Sequence, residues 1–341
     1  MKIAVIGSGA IGCLVAGYLK NKGEDVSSVG RADAVKAIKA HGILISGARG
    51  NFQIKIAIAE KLDFKPDLAI LATKTQDIDA IFKDNLNFLK ESIILTTQNG
   101  VQAETIVAKY IPKENIISSI VMFGATYLEP GKVVHNFERS WVVGRIFSGN
   151  DEKVTEAAGL LNKIFPTVIA DDIQGMKYLK IFANANNCLT GILGLSMQEA
   201  FVDPAISRIS IAIWKEGLQI VQQSGIKLIS LPDFSLEQVT KLTFLPTEQA
   251  AKIFSGIMIN LSKEPLYGSI LQSIKRGRAS EIDYINGEFV NLARSNNLKA
   301  PLNEKLVEMV HKVEKTGKFF SKEQLISEVE GLNERSQYSI S

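Results

Sequence analysis

The chain has 341 residues, 46% of them apolar and 22% charged, enough to bury sizeable cores in about two domains of roughly 150 residues each. That composition excludes a disordered, collagen-like or low-complexity protein. Lysine and arginine (39) barely exceed aspartate and glutamate (36), and a net charge of +3 argues against a nucleic-acid partner, whose binder carries basic residues clustered and in large excess.

In chain order, 2–6 reads as a buried strand, 10–21 as a helix and 25–29 as a second strand. A helix over 33–40 follows, then a strand pair at 42–46 and 52–58 with a glycine-rich turn between. The continuous apolar runs 68–73 and 93–97 have the character of central parallel strands, flanked by helices at 77–89 and 102–110. Further strands are expected at 116–126, 132–135 and 141–144, with the last ending near Ala170. Beyond Asp171 strand patterns stop, and long helices are expected over 175–201, 204–224 and 252–295, punctuated by Pro204, Gly225, Pro232, Pro246, Pro265 and Pro301. The reading is α/β: an N-terminal Rossmann-type doubly wound sheet over 1–170, an all-α C-terminal domain over 171–332 and a polar tail over 333–341.

The N-terminal apolar run lacks the length and cleavage site of a secretory leader, and no stretch of about 18 clean apolar residues exists. A soluble, cytoplasmic protein without a membrane partner is expected. Cys13 and Cys188 cannot form a disulfide framework, and three scattered histidines (His41, His135, His311) offer no metal-ligand spacing, so no metal site is expected.

Gly7, Ser8, Gly9, Ala10, Ile11 and Gly12 form G-x-G-x-x-G between the first strand and the first helix. The spacing has a cause: Gly7 allows a sharp turn, Gly9 lets backbone approach a pyrophosphate, and Gly12 lets helix pack close to strand. The helix N-terminus then offers N–H groups to the anion. At the end of the second strand no carboxylate stands to bond a ribose 2′-hydroxyl; Arg31 offers a guanidinium suited to a 2′-phosphate, so NADP is favoured over NAD, although Asp33 is near and a solvated arginine fits the same position. Lys74 and Asn99 follow two further strands at their carboxyl ends, where open α/β sheets bind ligands.

In the second half, Lys180, Asn184, Asn187 and Cys188 fall at i, i+4, i+7 and i+8, along one helical face. Such a stripe can protonate and orient a carbonyl, and a solvent-facing or capping stripe fits the spacing equally well. Ser280 and Asp283 have capping-box spacing, which puts Glu281 in a first helical turn, after a basic loop at 275–278. Ser269 opens the preceding helix as a hydroxyl donor or an N-cap.

Taken in this order the residues resemble the ketopantoate reductase (2-dehydropantoate 2-reductase) family over nearly the whole chain, most specifically in GSILQSIKRGRASEIDYING. The resemblance implies NADPH-dependent reduction of 2-dehydropantoate to (R)-pantoate, on the route to pantothenate and coenzyme A. It assigns the general acid to Lys180, and substrate contacts to Lys180, Asn184, Ser269 and the position of Cys188. Gly7 to Gly12, Arg31, Lys74, Asn99 and Glu281 are assigned to the cofactor. Three positions depart from the family pattern: Cys188 replaces an asparagine, Met197-Gln198-Glu199 replaces Asn-Gly-Glu, and Leu266 replaces an asparagine. All three lie on the substrate side. A reductase of another branched 2-oxo acid, and a non-catalytic NADP sensor, are the alternatives; a sensor has no need of the lysine. A homodimer is compatible with the helical half, and nothing in the residues requires one.

Overall fold

The apolar runs of the first half become parallel strands because each is covered on both faces. A computed structural model describes residues 1–262 and 264–332, so the tail expected at 333–341 lies outside the described residues. The chain divides into two compact units, Met1–Gln174 and a second starting at Gly175.

The first unit runs β1 (Lys2–Ile6), α1 (Ala10–Asn21), β2 (Asp25–Val29), α2 (Ala32–His41), β3 (Ile43–Gly47), β4 (Phe52–Ile54), β5 (Ala57–Ala59) and β6 (Leu68–Leu71). It continues with α3 (Ile78–Leu89), β7 (Ile93–Thr96), α4 (Ala103–Val107), β8 (Ile116–Val121), β9 (Gly124–Glu129), β10 (Lys132–Phe137), β11 (Trp141–Gly144), α5 (Glu152–Asn162) and β12 (Thr167–Ile169). Six strands pair in parallel in the order β5-β2-β1-β6-β7-β8, and β11 then joins antiparallel to β8, with β12 outermost. The crossover order reverses at β1, which places a crevice beyond the carboxyl ends of β1 and β6. Alternate residues of β1 feed two cores: Ile3 and Val5 pack among Leu14, Leu19 and Phe165, while Ala4 and Ile6 pack among Ile78, Phe82 and Val107.

A second sheet, β4-β3-β10-β9, lies against α1. Its join is aromatic and polar: the Tyr18 hydroxyl is 3.0 Å from His135 Nδ1, the other His135 nitrogen is 3.1 Å from the Phe137 carbonyl, and the Arg49 guanidinium lies 4.7 Å from the Tyr18 and Phe165 ring centres. This sheet corrects two sequence expectations. The run 52–58 is two strands, because β4 pairs with β3 whereas β5 crosses to pair with β2 in the large sheet. The run 116–126 is likewise cut at Met122-Phe123, where the chain leaves β8 in one sheet for β9 in the other. The helix α5, capped by the Asp151 carboxylate on Val154 N–H, was not read from the sequence.

The second unit is helical: α6 (Ile173–Ala185), α7 (Asn187–Leu193), α8 (Met197–Phe201), α9 (Pro204–Gln223), α10 (Leu236–Phe244), α11 (Thr247–Ile259), α12 (Ser269–Lys275), α13 (Asn286–Ser295), α14 (Pro301–Thr316) and α15 (Lys322–Val329). The expected helix over 175–201 is three helices. Asn186 makes a turn, Gly194 ends α7 in the left-handed region (φ +73°), and Ser196 opens α8 with a capping box to Glu199. The expected helix over 252–295 is also broken, into α11, α12 and α13. No local side chain caps α14. Its Leu302 and Asn303 N–H groups instead donate to the Glu216 carboxylate of α9, at 3.0 and 2.9 Å. Burial raises the Glu216 pKa against the pull of those Asn303 and Leu302 donors. Among the described residues no helix is long and apolar enough to cross a membrane.

Candidate active site

In the first unit the phosphate turn is built by sterics. Gly7 takes φ +112°, and a Cβ there would stand 2.6 Å from the Ala72 carbonyl carbon of the neighbouring strand end. At Gly12 a Cβ would lie 1.7 Å from the Gly7 oxygen, so helix and turn touch backbone to backbone. At Gly9 a Cβ would meet no atom within 4 Å. Gly9 is therefore not demanded by packing inside the unit; it keeps open the approach to the α1 N-terminus, which no side chain caps. That combination fits a pyrophosphate on the helix N–H groups. Ser8 closes the other flank: a Cβ on Gly30, the residue after β2, would be 2.2 Å from Ser8 Oγ. Cys13, next to the turn, is inert, its thiol pushed up to about 12 by burial.

Arg31 follows at the start of α2 and reaches Asp77 of the 3₁₀ turn Thr75–Asp77 across 3.5 Å. Lys74 precedes that turn and Asn99 follows β7; both are half-buried at strand ends beyond the crevice. The residue before Asn99 has a role that its place in the chain does not disclose. Gln98, 5% exposed, donates from Nε2 to the Leu71 and Thr73 carbonyls, each at 2.9 Å, and accepts from the Thr97 N–H at 3.0 Å. One amide thus ties the end of β6 to the end of β7 and fixes the two loops that carry Lys74 and Asn99.

In the second unit Lys180 and Asn184 share α6 at i, i+4 and are half-buried, above the buried back face of Leu179, Ile181 and Phe182. The four-residue stripe is not continuous, because the Asn186 turn puts Asn187 and Cys188 on α7. Cys188 is fully buried; burial pushes its thiol up, although the Asn286 amide hydrogen-bonds toward it. Ser269 is exposed as the first residue of α12, and its N-cap is Gly268, which rests on Thr190 and Asn187.

The expected capping box at Ser280 does not form. The backbone there turns through a 3₁₀ segment, Ile282–Tyr284, and α13 begins only at Asn286. Ser280 N–H donates to Glu314 at 2.6 Å, and Asp283 turns outward to His311 at 3.0 Å. His311 is thus held between Asp283 and Glu314, each at 3.0 Å. Burial disfavours its charge, yet the two carboxylates outweigh this and raise its pKa. The loop bearing Glu281 is fastened to α14 by this pair and not by a helix cap.

Two of the three departures from the family pattern, the segment 197–199 and residue 266, are hydrogen-bonded to each other. The Gln198 amide accepts from Leu266 N–H at 3.0 Å and donates to the Ser262 and Glu264 carbonyls at 3.1 and 3.0 Å. Met197 N–H adds a bond to the Leu266 carbonyl at 2.8 Å. Residues 197 and 198 therefore hold the segment that leads into Ser269.

A parallel sheet in this order, with β1 ending in a glycine turn at an uncapped helix N-terminus, defines the Rossmann-type dehydrogenase class. The domain described as ketopantoate reductase PanE/ApbA matches residues 3–147, and the ketopantoate reductase PanE/ApbA C-terminal domain matches residues 172–314. The chain belongs to the ketopantoate reductase family. It is 32% identical to a 2-dehydropantoate 2-reductase of Pyrococcus horikoshii, over 93% of this chain and 99% of that protein. The ternary structure of D-mandelate dehydrogenase with NADH and anilino(oxo)acetate is similar at a TM-score of 0.78 and 25% identity, covering 93% of this chain and 99% of that one. A PanE/ApbA family ketopantoate reductase of Ralstonia eutropha JMP134 shares the fold at a TM-score of 0.77 and 22% identity, over 92% and 99% of the two chains.

Proposed function

We propose that the chain is a cytoplasmic oxidoreductase that reduces the ketone of 2-dehydropantoate to (R)-pantoate with NADPH. The observation that carries this reading is the family match across both halves of the chain, at residues 3–147 and 172–314. Bound NADPH supplies the hydride that the ketone carbon gains. The chain's own groups do the rest. The N–H groups at the start of α1 hold the pyrophosphate, and the Arg31 guanidinium pairs with the 2′-phosphate. Lys74 and Asn99 hold the cofactor from the neighbouring strand ends, and the Glu281 carboxylate accepts from the ribose. Asn184 and Ser269 hydrogen-bond the substrate. The Lys180 ammonium would give its proton to the ketone oxygen as the carbon gains the hydride, so that the alcohol forms with charge balanced. Water reprotonates the lysine.

The test is NADPH oxidation with 2-dehydropantoate, in the wild type and in Lys180→Ala. Loss of a positioned general acid lowers kcat by about a hundredfold or more. The Kd for NADPH should stay within about twofold, because Lys180 makes no contact with the pyrophosphate or the 2′-phosphate in this scheme. Normal turnover by Lys180→Ala removes the lysine from the mechanism.

A second reading, reduction of another branched 2-oxo acid, is motivated by the departures from the family pattern at Cys188, Gln198 and Leu266. Of these, the Gln198 side chain holds the backbone N–H of residue 266 and with it the segment that leads into Ser269. The ratio of kcat/KM across a panel of 2-oxo acids separates the readings.

A further inference from the structure

We propose that Asp77 sets how strongly this chain prefers a 2′-phosphorylated dinucleotide over its unphosphorylated form. The proposal rests on the dinucleotide reading given above and adds a specificity residue to it. An unphosphorylated dinucleotide is usually recognised by a carboxylate at the end of β2, which accepts from the ribose 2′-hydroxyl. Here that place is closed by packing: a Cβ on Gly30 would lie 2.2 Å from Ser8 Oγ and 2.7 Å from Ser8 Cβ. A side chain at residue 30 would therefore require Ser8 of the phosphate turn to move.

The charge choice passes to the next residue. Arg31 stands at the N-cap of α2 in extended backbone (φ −72°, ψ 162°), its carbonyl accepting from Val35 N–H at 2.9 Å. Its guanidinium is directed to a carboxylate from a different strand end, Asp77 at the close of the 3₁₀ turn after β6. The contact is single and long, 3.5 Å, and the two side chains are 61% and 39% exposed. A loose, open pair of this kind is worth little by itself and leaves the remaining guanidinium N–H groups to a ligand.

Its consequence for recognition is larger. A phosphate monoester carries between one and two negative charges near neutral pH, and pairing with Arg31 brings that charge beside the Asp77 carboxylate. A ribose 2′-hydroxyl meets no such repulsion and can donate to the same carboxylate. Arg31 therefore favours the phosphorylated cofactor while Asp77 subtracts from that preference, and the pair accommodates both.

The experiment uses the full-length chain and equilibrium titrations of NADPH and NADH, followed by nucleotide fluorescence, for wild type, Asp77→Asn, Asp77→Ser and Arg31→Ala. Both Asp77 variants should raise the NADPH-over-NADH affinity ratio by about threefold to tenfold, mainly by tightening NADPH. Arg31→Ala should collapse the ratio toward one. A ratio unchanged in both Asp77 variants, with Arg31→Ala still lowering it, overturns the role of Asp77 and leaves the dinucleotide reading standing. A wild type that binds neither nucleotide overturns that reading, and this proposal with it. Thermal melts of the variants confirm that each is folded before its ratio is compared.

Discussion

Gly9 and Gly12 sit three residues apart in one turn and answer to opposite demands. A methyl group at Gly12 would collide with the Gly7 carbonyl at 1.7 Å, whereas one at Gly9 would touch nothing within 4 Å. Gly12→Ala should therefore destabilise the fold by about 2–3 kcal/mol, since backbone must shift. Gly9→Ala should change stability by less than about 1 kcal/mol, as an alanine at an N-cap does, yet weaken NADPH binding strongly. Urea unfolding and nucleotide titration of the two variants give opposite patterns if Gly9 exists for the ligand. Gln98 belongs at the same scale. Gln98→Leu loses both bonds to the Leu71 and Thr73 carbonyls, costing about 1–3 kcal/mol, and should raise the Kd for NADPH by freeing the Lys74 and Asn99 loops. A raised Kd without loss of stability, or the reverse, would separate the two effects. The glycine turn was readable from sequence because its spacing stands between an apolar strand and an apolar helix, and the Gly12–Gly7 contact is local, whereas the Ala72 backbone that Gly7 must clear comes from the end of β6. The work of Gln98 was not, since it depends on β6 and β7 being neighbours, which the chain order alone does not state.

Among the elements, two histidines fasten loops or sheets and respond to pH with opposite sign. His135 is buried between Tyr18 and the Phe137 carbonyl, and burial lowers its pKa below the ordinary 6.5 despite the nearby Glu138. Its neutral form docks the small sheet on α1, so that contribution is present above 6.5 and is lost as pH falls through the lowered value. His311 is the reverse case. Its pKa is raised above 6.5 by Asp283 and Glu314, so its clamp on the Glu281 loop is full below 6.5 and is lost as pH rises through the raised value. Melting temperatures of wild type and His311→Gln, compared between about pH 6 and pH 9, should converge toward the alkaline end. A gap that widens with pH contradicts the clamp. Helix boundaries were the least legible elements for a related reason. The α6–α7 break and the start of α14 are set by a turn at Asn186 and by a carboxylate 86 residues away, neither of which alters the apolar periodicity. Likewise the split of 52–58 depends on which sheet each half finds.

At the scale of the molecule, the first unit concentrates its candidate ligand groups at one edge of one sheet. β1, β2, β6 and β7 all end, in parallel, in the segments 7–13, 30–31, 72–77 and 97–100. That convergence was legible in advance, because alternating apolar runs and helices force a parallel sheet and a parallel sheet presents its carboxyl ends together. What lay beyond sequence reading was the second sheet, whose strands β9 and β10 come from a stretch with the same apolar texture as the first. The two sheets now make a mapping experiment decisive. NADPH at about a hundred times its Kd stabilises the state that binds it by roughly 2.7 kcal/mol, enough to slow amide exchange wherever opening exposes the site. Hydrogen exchange of the full chain should then show protection gained in 7–13, 28–34, 72–77 and 97–101. The segments of β9 and β10 should be little changed, because that sheet sits on α1 away from the strand ends. Protection spread evenly over both sheets would mean that the nucleotide acts through global stability alone, and protection centred on 124–137 would place it on the wrong sheet.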